Sequence, residues 1–166
     1  SFSDQIGYVT KRFAAYAVAA TAIISVTQAI SGGIREAISF QNELVKLSQI
    51  GENSAANIRS IAQSVTSLSQ TYGVASRELV TSAVTLRQAG LSAQDTAIAL
   101  ETLAQAATSP NFDNIARTTE GAIAIMRQFG TDVLGTRTAL AAINEVSAQY
   151  AVESKDLIEA VIRSGG

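Results

Sequence analysis

Apolar residues recur along the chain at intervals of three and four, with little sustained alternation. That period predicts helices rather than strands. The clearest stripe is Ile58, Ile61, Ala62, Val65, Leu68 and Tyr72, the spacing of a helix face buried against its neighbours. It belongs to a helix expected from about Ser54 to Tyr72 and ended by Gly73. Two helices are expected before it. One runs from about Asp4 to Ser31 and stops at Gly32-Gly33. The other runs from Ile34 to Ile50, with Ile34, Ala37, Leu44 and Leu47 on one face, and stops at Gly51. After Gly73, Ser76 is the expected cap of a helix carrying Leu79, Val80, Ala83, Val84 and Leu86, which ends before Gly90. Ser92 with Asp95 reads as a capping box, Asp standing in for Glu or Gln. It opens a helix with the stripe Ala93, Ala97, Leu100, Ala104 and Ala107. Thr108 to Phe112, around the single Pro110, reads as a loop. Asp113 is the expected cap of the next helix, with Ile115, Ala122, Met126 and Phe129 on its apolar face and Gly130 at its end. Thr131 or Asp132 opens another, with Leu140, Ile143, Val146 and Tyr150. Ser154 is the expected cap of the last, with Leu157, Ile158, Val161 and Ile162. Caps and glycines every ~15–25 residues predict helices folded back on one another. The expected fold is an all-α bundle of about eight helices built from repeated helix hairpins.

The sequence also repeats. Tyr72-Gly-Val-Ala-Ser-Arg-Glu-Leu-Val80 aligns with Tyr150-Ala-Val-Glu-Ser-Lys-Asp-Leu-Ile158 at a shift of 78 positions, from 72 to 150. Val65 then lies over Ile143 and Leu68 over Val146. Beyond this the register slips by two, so that Arg87 to Gly90 matches Arg163 to Gly166. The repeated unit, about 54–90 and 132–166, is helix, Tyr-x-Val turn, Ser, helix, Gly. Stacked helix pairs of this kind bury a shared face and depend on their neighbours. Convergent helix-turn-helix grammar is the competing explanation, and the matching Tyr and acid–base order favour duplication. The expected organisation is an N-terminal helix over 1–33 followed by a hairpin module over 34–166. The Ser1 start and the Gly165-Gly166 end are expected to be cuts from a longer chain.

Composition narrows the chemistry. The 166 residues contain no Cys, no His, no Trp and one Pro, with 12 basic and 14 acidic residues. Without His or Cys, Ser-His-Asp and Cys-His catalysis and zinc–thiolate sites are excluded. A net charge of −2 without a basic cluster argues against sequence-specific nucleic-acid binding. No Gly-rich phosphate loop is present, because Gly32-Gly33 and Gly165-Gly166 lack the flanking context. Glu153 with Asp156, and Asp156 with Glu159, are i, i+3 acid pairs. They have the spacing to hold a hard cation, but first-turn acids favouring the helix dipole account for them better. Catalytic, cofactor and metal residues are therefore expected to be absent.

Phe13 to Ile34 is 22 residues without a charge, flanked by Lys11-Arg12 and Arg35-Glu36. That length reaches across a hydrocarbon core of ~20 residues. The stretch is rich in Ala and holds Thr21, Ser25, Thr27, Gln28 and Ser31, which oppose insertion. A buried or self-associating helix is the favoured reading and a membrane helix the alternative. Ala14, Val18, Ala22, Ile23, Val26 and Ile30 are its candidate contact residues.

The order of motifs resembles a known family. Phe40-Gln-Asn-Glu-Leu-Val-Lys-Leu-Ser48 looks like the entry to the conserved core of phage tail tape measure proteins. Leu68 to Leu79, Gln88-Ala-Gly-Leu-Ser-Ala-Gln-Asp-Thr-Ala97 and Leu103-Ala-Gln-Ala-Ala107 are similar to the motifs that follow it. Met126-Arg-Gln-Phe-Gly130, Glu145-Val-Ser-Ala148 and Ser154-Lys-Asp-Leu157 resemble the closing ones. The resemblance covers about residues 34–166. Gln94 and Asp95 depart from the usual acids, and Thr108 to Asp113 is longer than the family turn. What the resemblance implies is a structural virion protein in the lumen of the tail tube, whose length sets tail length. It implies contacts with tail tube and tail tip proteins, tail assembly chaperones in the host cytoplasm, and further copies of itself. It also implies exit at genome ejection, with contact to the host membrane in some members. The residues themselves predict compact hairpins, so the expectation is a folded module of such a protein, with the rod elsewhere. The alternative is a membrane-active bundle, pore-forming or secreted, acting through residues 13–34. A lytic enzyme is a third class, disfavoured by the dispersed acids.

Overall fold

The computed structural model describes residues 34–50, 55–112, 114–150 and 153–164. Every regular element among them is helical. In chain order they are α1 (Ile34–Gln49), α2 (Ala55–Tyr72), α3 (Ser76–Gln88), α4 (Ala93–Ala106), α5 (Ile115–Phe129), α6 (Val133–Tyr150) and α7 (Ser154–Ser164). A 3-10 turn at Pro110–Phe112 lies between α4 and α5. The all-α expectation holds, and each expected helix from Ile34 onward is found. The expected helix over 4–31 lies outside the described residues.

The helices are ended as their local chemistry dictates. Gly73, Gly90 and Gly130 have positive φ angles of 73°, 101° and 60°, backbone that a side chain disfavours. Ser92 caps α4: its hydroxyl accepts from the Asp95 amide at 3.0 Å and donates to the Asp95 carboxylate at 2.6 Å. Asp132 accepts from the Gly135 amide at 2.7 Å and opens α6. Three expected caps are corrected. Ser76 lies inside α3, where Ala75 is the N-cap residue and makes no side-chain bond. Asn114, not Asp113, caps α5 by accepting from the Arg117 amide at 3.0 Å. Ser154 is buried inside α7, and its hydroxyl meets that of Ser147 at 2.7 Å.

Packing follows a simple rule. Each helix touches its chain neighbours, and most of the largest interfaces join helices two apart: α2 with α4, α1 with α3, α5 with α7, and α3 with α5. The odd helices form one row and the even helices another. In the odd row, α3, α5 and α7 begin at Ser76, Ile115 and Ser154, steps of 39 residues from 76 to 115 and from 115 to 154. In the even row, α2 and α6 each have 18 residues and begin 78 apart, at Ala55 and Val133. The hairpin thus recurs at half the interval at which the sequence match is visible.

The contacts recur with it. Thr119 on α5 donates to the Ser82 hydroxyl on α3 at 3.0 Å. One step later, Ile158 on α7 lies over Gly121 on α5, with its Cγ2 2.7 Å from where a Cβ would stand. In both cases a small residue on one helix receives a β-branched residue 37 positions further on, 119 against 82 and 158 against 121. The core between the rows includes Phe40, Leu44, Ile61, Leu79, Leu100 and Leu103, all almost fully buried.

Hydroxyls enter this core because their own helix satisfies them. Buried Thr96, Thr118 and Thr136 donate to the carbonyls of Ser92, Asn114 and Asp132 at 2.7–3.0 Å. A buried hydroxyl left without a partner would cost about 1–3 kcal/mol.

Gly121→Ala is expected to destabilise the fold by about 1–3 kcal/mol in urea unfolding, because the new methyl meets Ile158. Combined with Ile158→Ala, it is expected to cost less than the two single changes added together. Additive costs would show that this contact is not tight.

Candidate functional site

The candidate residues Ala14, Val18, Ala22, Ile23, Val26 and Ile30 lie outside the described residues. No helix among the described residues is long and apolar enough to cross a membrane.

The acids of α7 are placed apart from one another by their partners. Glu159 accepts from Arg117 on α5, which also pairs with Glu120, so a guanidinium fastens α5 to α7. Arg163 approaches Glu159 from its own helix at 3.8 Å. Glu153 pairs with Lys155, while Asp156 stands exposed in the first turn. The hydrogen bond to Glu159, then that to Glu120, raises the pKa of Arg117 above the ordinary arginine value. Whatever the raised guanidinium contributes is present below the ordinary arginine range and is lost only as pH rises through it. Among the described residues, no group of three or more acids has metal-holding geometry.

Two grooves were not foreseen from sequence. One, of about 420 Å³, runs between α4 and α6 over the 3-10 turn. Its floor is Phe112 and Leu140, both buried. Its polar groups serve one another. Asn144 accepts from Ser109 and from Asn111, each at 3.1 Å. Arg137 donates to Thr102 at 3.2 Å and lies 3.8 Å from Glu101. These bonds tie the connector after α4 to α6, which explains why the expected loop is a short, anchored turn. The second groove, of about 910 Å³, opens between Phe40, Ser69 and the first turns of α3 and α5. Arg77, Glu78 and Asn114 are among its lining residues.

The exposed apolar surface is the third feature. Phe129, Leu134, Val146 and Tyr150 are 63%, 59%, 40% and 69% exposed. Phe129, Val146 and Tyr150 were expected on buried stripes and are corrected here. For Val146 and Tyr150, the equivalents show the reason. At the shift of 78, Leu68 and Tyr72 match Val146 and Tyr150. Leu68 and Tyr72 lie beside Ala97 and Ile98 of α4 and pack on the core. Among the described residues, α6 has no helix in the place that α4 takes on α2. The repeat carried this signal, but exposure depends on the neighbour and not on the stripe.

Comparison of the chain with protein-family models, with curated proteins and with solved structures gives no match. The family resemblance therefore rests on the motifs quoted above.

Asn144→Ala is expected to cost about 1 kcal/mol and to speed protease cleavage between Thr108 and Asn114, with the rest of the chain cut as before. Unchanged cleavage would show that Asn144 does not hold the connector.

Proposed function

We propose that this chain is a folded module of a phage tail tape measure protein, structural rather than catalytic. The observation that carries the proposal is the order and spacing of the motifs over 34–166. Their places in the fold give a physical reason for that order. Phe40 and Leu44 of the first motif are buried in α1, with Glu43 and Lys46 paired beside them at 2.7 Å. Gly90 to Asp95 forms the turn and cap between α3 and α4. Phe129-Gly130 closes α5, and Ser154 to Leu157 opens α7. These four motifs thus fall at a buried helix face, a turn between helices and two helix ends.

The hairpins also bear on which part of such a protein this would be. A ruler is extended, at ~1.5 Å per residue for continuous helix. Residues 55–150 are instead divided among five helices, α2 to α6. The module would travel with the ruler without setting the length itself. It would lie in the tail lumen, meeting tube and tip proteins, after its chaperones had released it.

The test is mass spectrometry of purified phage tails, coupled to immunogold labelling of tails opened at one end. The proposal predicts peptides from 34–166 in the particle and label at the lumen. A chain absent from purified particles, or confined to their outer surface, would overturn it.

A further inference from the structure

The groove between α4 and α6 has a counterpart one step earlier in the stack. Gln63, Ser67, Ile98 and Glu101 help to line a groove between α2 and α4. One step on, from 63 to 102, 67 to 106, 98 to 137 and 101 to 140, Thr102, Ala106, Arg137 and Leu140 line the groove between α4 and α6. The two are the same groove of the fold with different side chains. An aliphatic wall at Ile98 has become a guanidinium at Arg137, and an acid at Glu101 has become apolar floor at Leu140. The groove between α2 and α4 has no cation among its lining residues.

The guanidinium is held with donors to spare. Its Nε donates to the Thr102 hydroxyl at 3.2 Å, which fixes its plane. Its terminal nitrogens make no hydrogen bond among the described residues, because Glu101 stands 3.8 Å away, beyond hydrogen-bond reach. Asn144 accepts from Ser109 and Asn111 through its side-chain oxygen, and its amide nitrogen donates to no described residue. Buried Leu140 and Phe112 lie between these two polar groups. Arg137, Leu140 and Asn144 are at i, i+3 and i+7 on α6 and share one helical face. At ~1.5 Å per residue, that face places cation, apolar floor and amide along ~10 Å.

We propose that this groove binds an extended peptide segment of a partner protein, with an acidic residue two positions before a large apolar one. Alternate side chains of an extended chain point the same way, ~6.6–6.8 Å apart. The carboxylate takes the open edge of Arg137, whose paired N–H donors suit a carboxylate. The apolar side chain lies on Leu140 and Phe112, and a carbonyl beyond it accepts from Asn144. The cavity of about 420 Å³ falls within the ~300–1,000 Å³ of ordinary ligand sites. Glu101 is the competitor for Arg137, and it is displaced easily because its contact is long and its side chain is 54% exposed. This inference rests on the groove and does not require the tail reading.

The test titrates the whole chain with the peptide acetyl-Glu-Ala-Leu-Ala-amide, followed by amide chemical shifts. The expected result is one saturable site with a dissociation constant below about 1 mM. Shifts are expected at Thr102, Ser109, Leu140 and Asn144, and not at Ser64 or Ile98. The neutral peptide with Gln in place of Glu is expected to bind at least tenfold more weakly. Arg137→Gln is expected to weaken the acidic peptide by a similar factor and to leave the neutral one unchanged, which a general loosening of the groove would not do. Glu101→Gln is expected to tighten the acidic peptide, since the competing carboxylate is gone. Equal binding of the two peptides would overturn the proposal. So would indifference to Arg137→Gln, shifts centred on Ile98, or no saturable binding up to about 5 mM.

Discussion

A small residue on α3 and another on α5 set how closely the next odd-row helix can approach, and the rest of the stack follows from that distance. Ser82 lies under Thr119, and Gly121 lies under Ile158, where there is no room for a methyl. A row packed this closely brings the even helices together as well, because each is joined to the odd row by short connectors. It also leaves little space for long side chains, which fits a chain with 29 Ala, 18 Ser and 15 Thr. Buried threonines then bond to the carbonyl one turn back and need no partner across the interface. The stack remains an array of neighbours, in which each hairpin depends on the hairpins beside it.

Much of this could be read from the pattern of residues. Stripes such as Leu79, Val80, Ala83, Val84 and Leu86 are buried together, since a helical period leaves one face to the core. Glycines marked three helix ends because only a left-handed residue satisfies the turn there. Cap positions at Ser76, Asp113 and Ser154 were misplaced. A serine near a helix start has more than one available partner, and Ser154 finds Ser147 across the α6–α7 corner. That partner is set by tertiary packing and cannot be read from local sequence. The interval of 39 was hidden for a related reason. α4 and α5 keep the geometry of the repeat without its Tyr-x-Val turn, so only every second hairpin matches in residue type. The uncovered face of α6 was read as core for the same reason: Tyr72 and Tyr150 are the same residue in the same register, and only their neighbours differ.

The architecture bears on the proposed role. Among the described residues, contacts join helices mostly within about one 39-residue step, and no strand or helix distant in sequence closes the array. A stack of this kind can in principle be taken apart from one end, a hairpin at a time. Modest burial per small side chain keeps each step inexpensive in free energy, at roughly 25 cal/mol per Å² of apolar surface. Those are useful properties in a protein that must leave through a narrow tube.

The central claim is that this segment is a folded module carried with a ruler and is not itself the ruler. It is tested most directly by duplicating residues 54–131 in frame in the gene and measuring tail length by electron microscopy. The duplication adds α2 to α5, two complete hairpins in register with the stack. The account predicts assembled tails of unchanged length. Tails longer by about 120 Å, the length of the added residues as continuous helix, would contradict it.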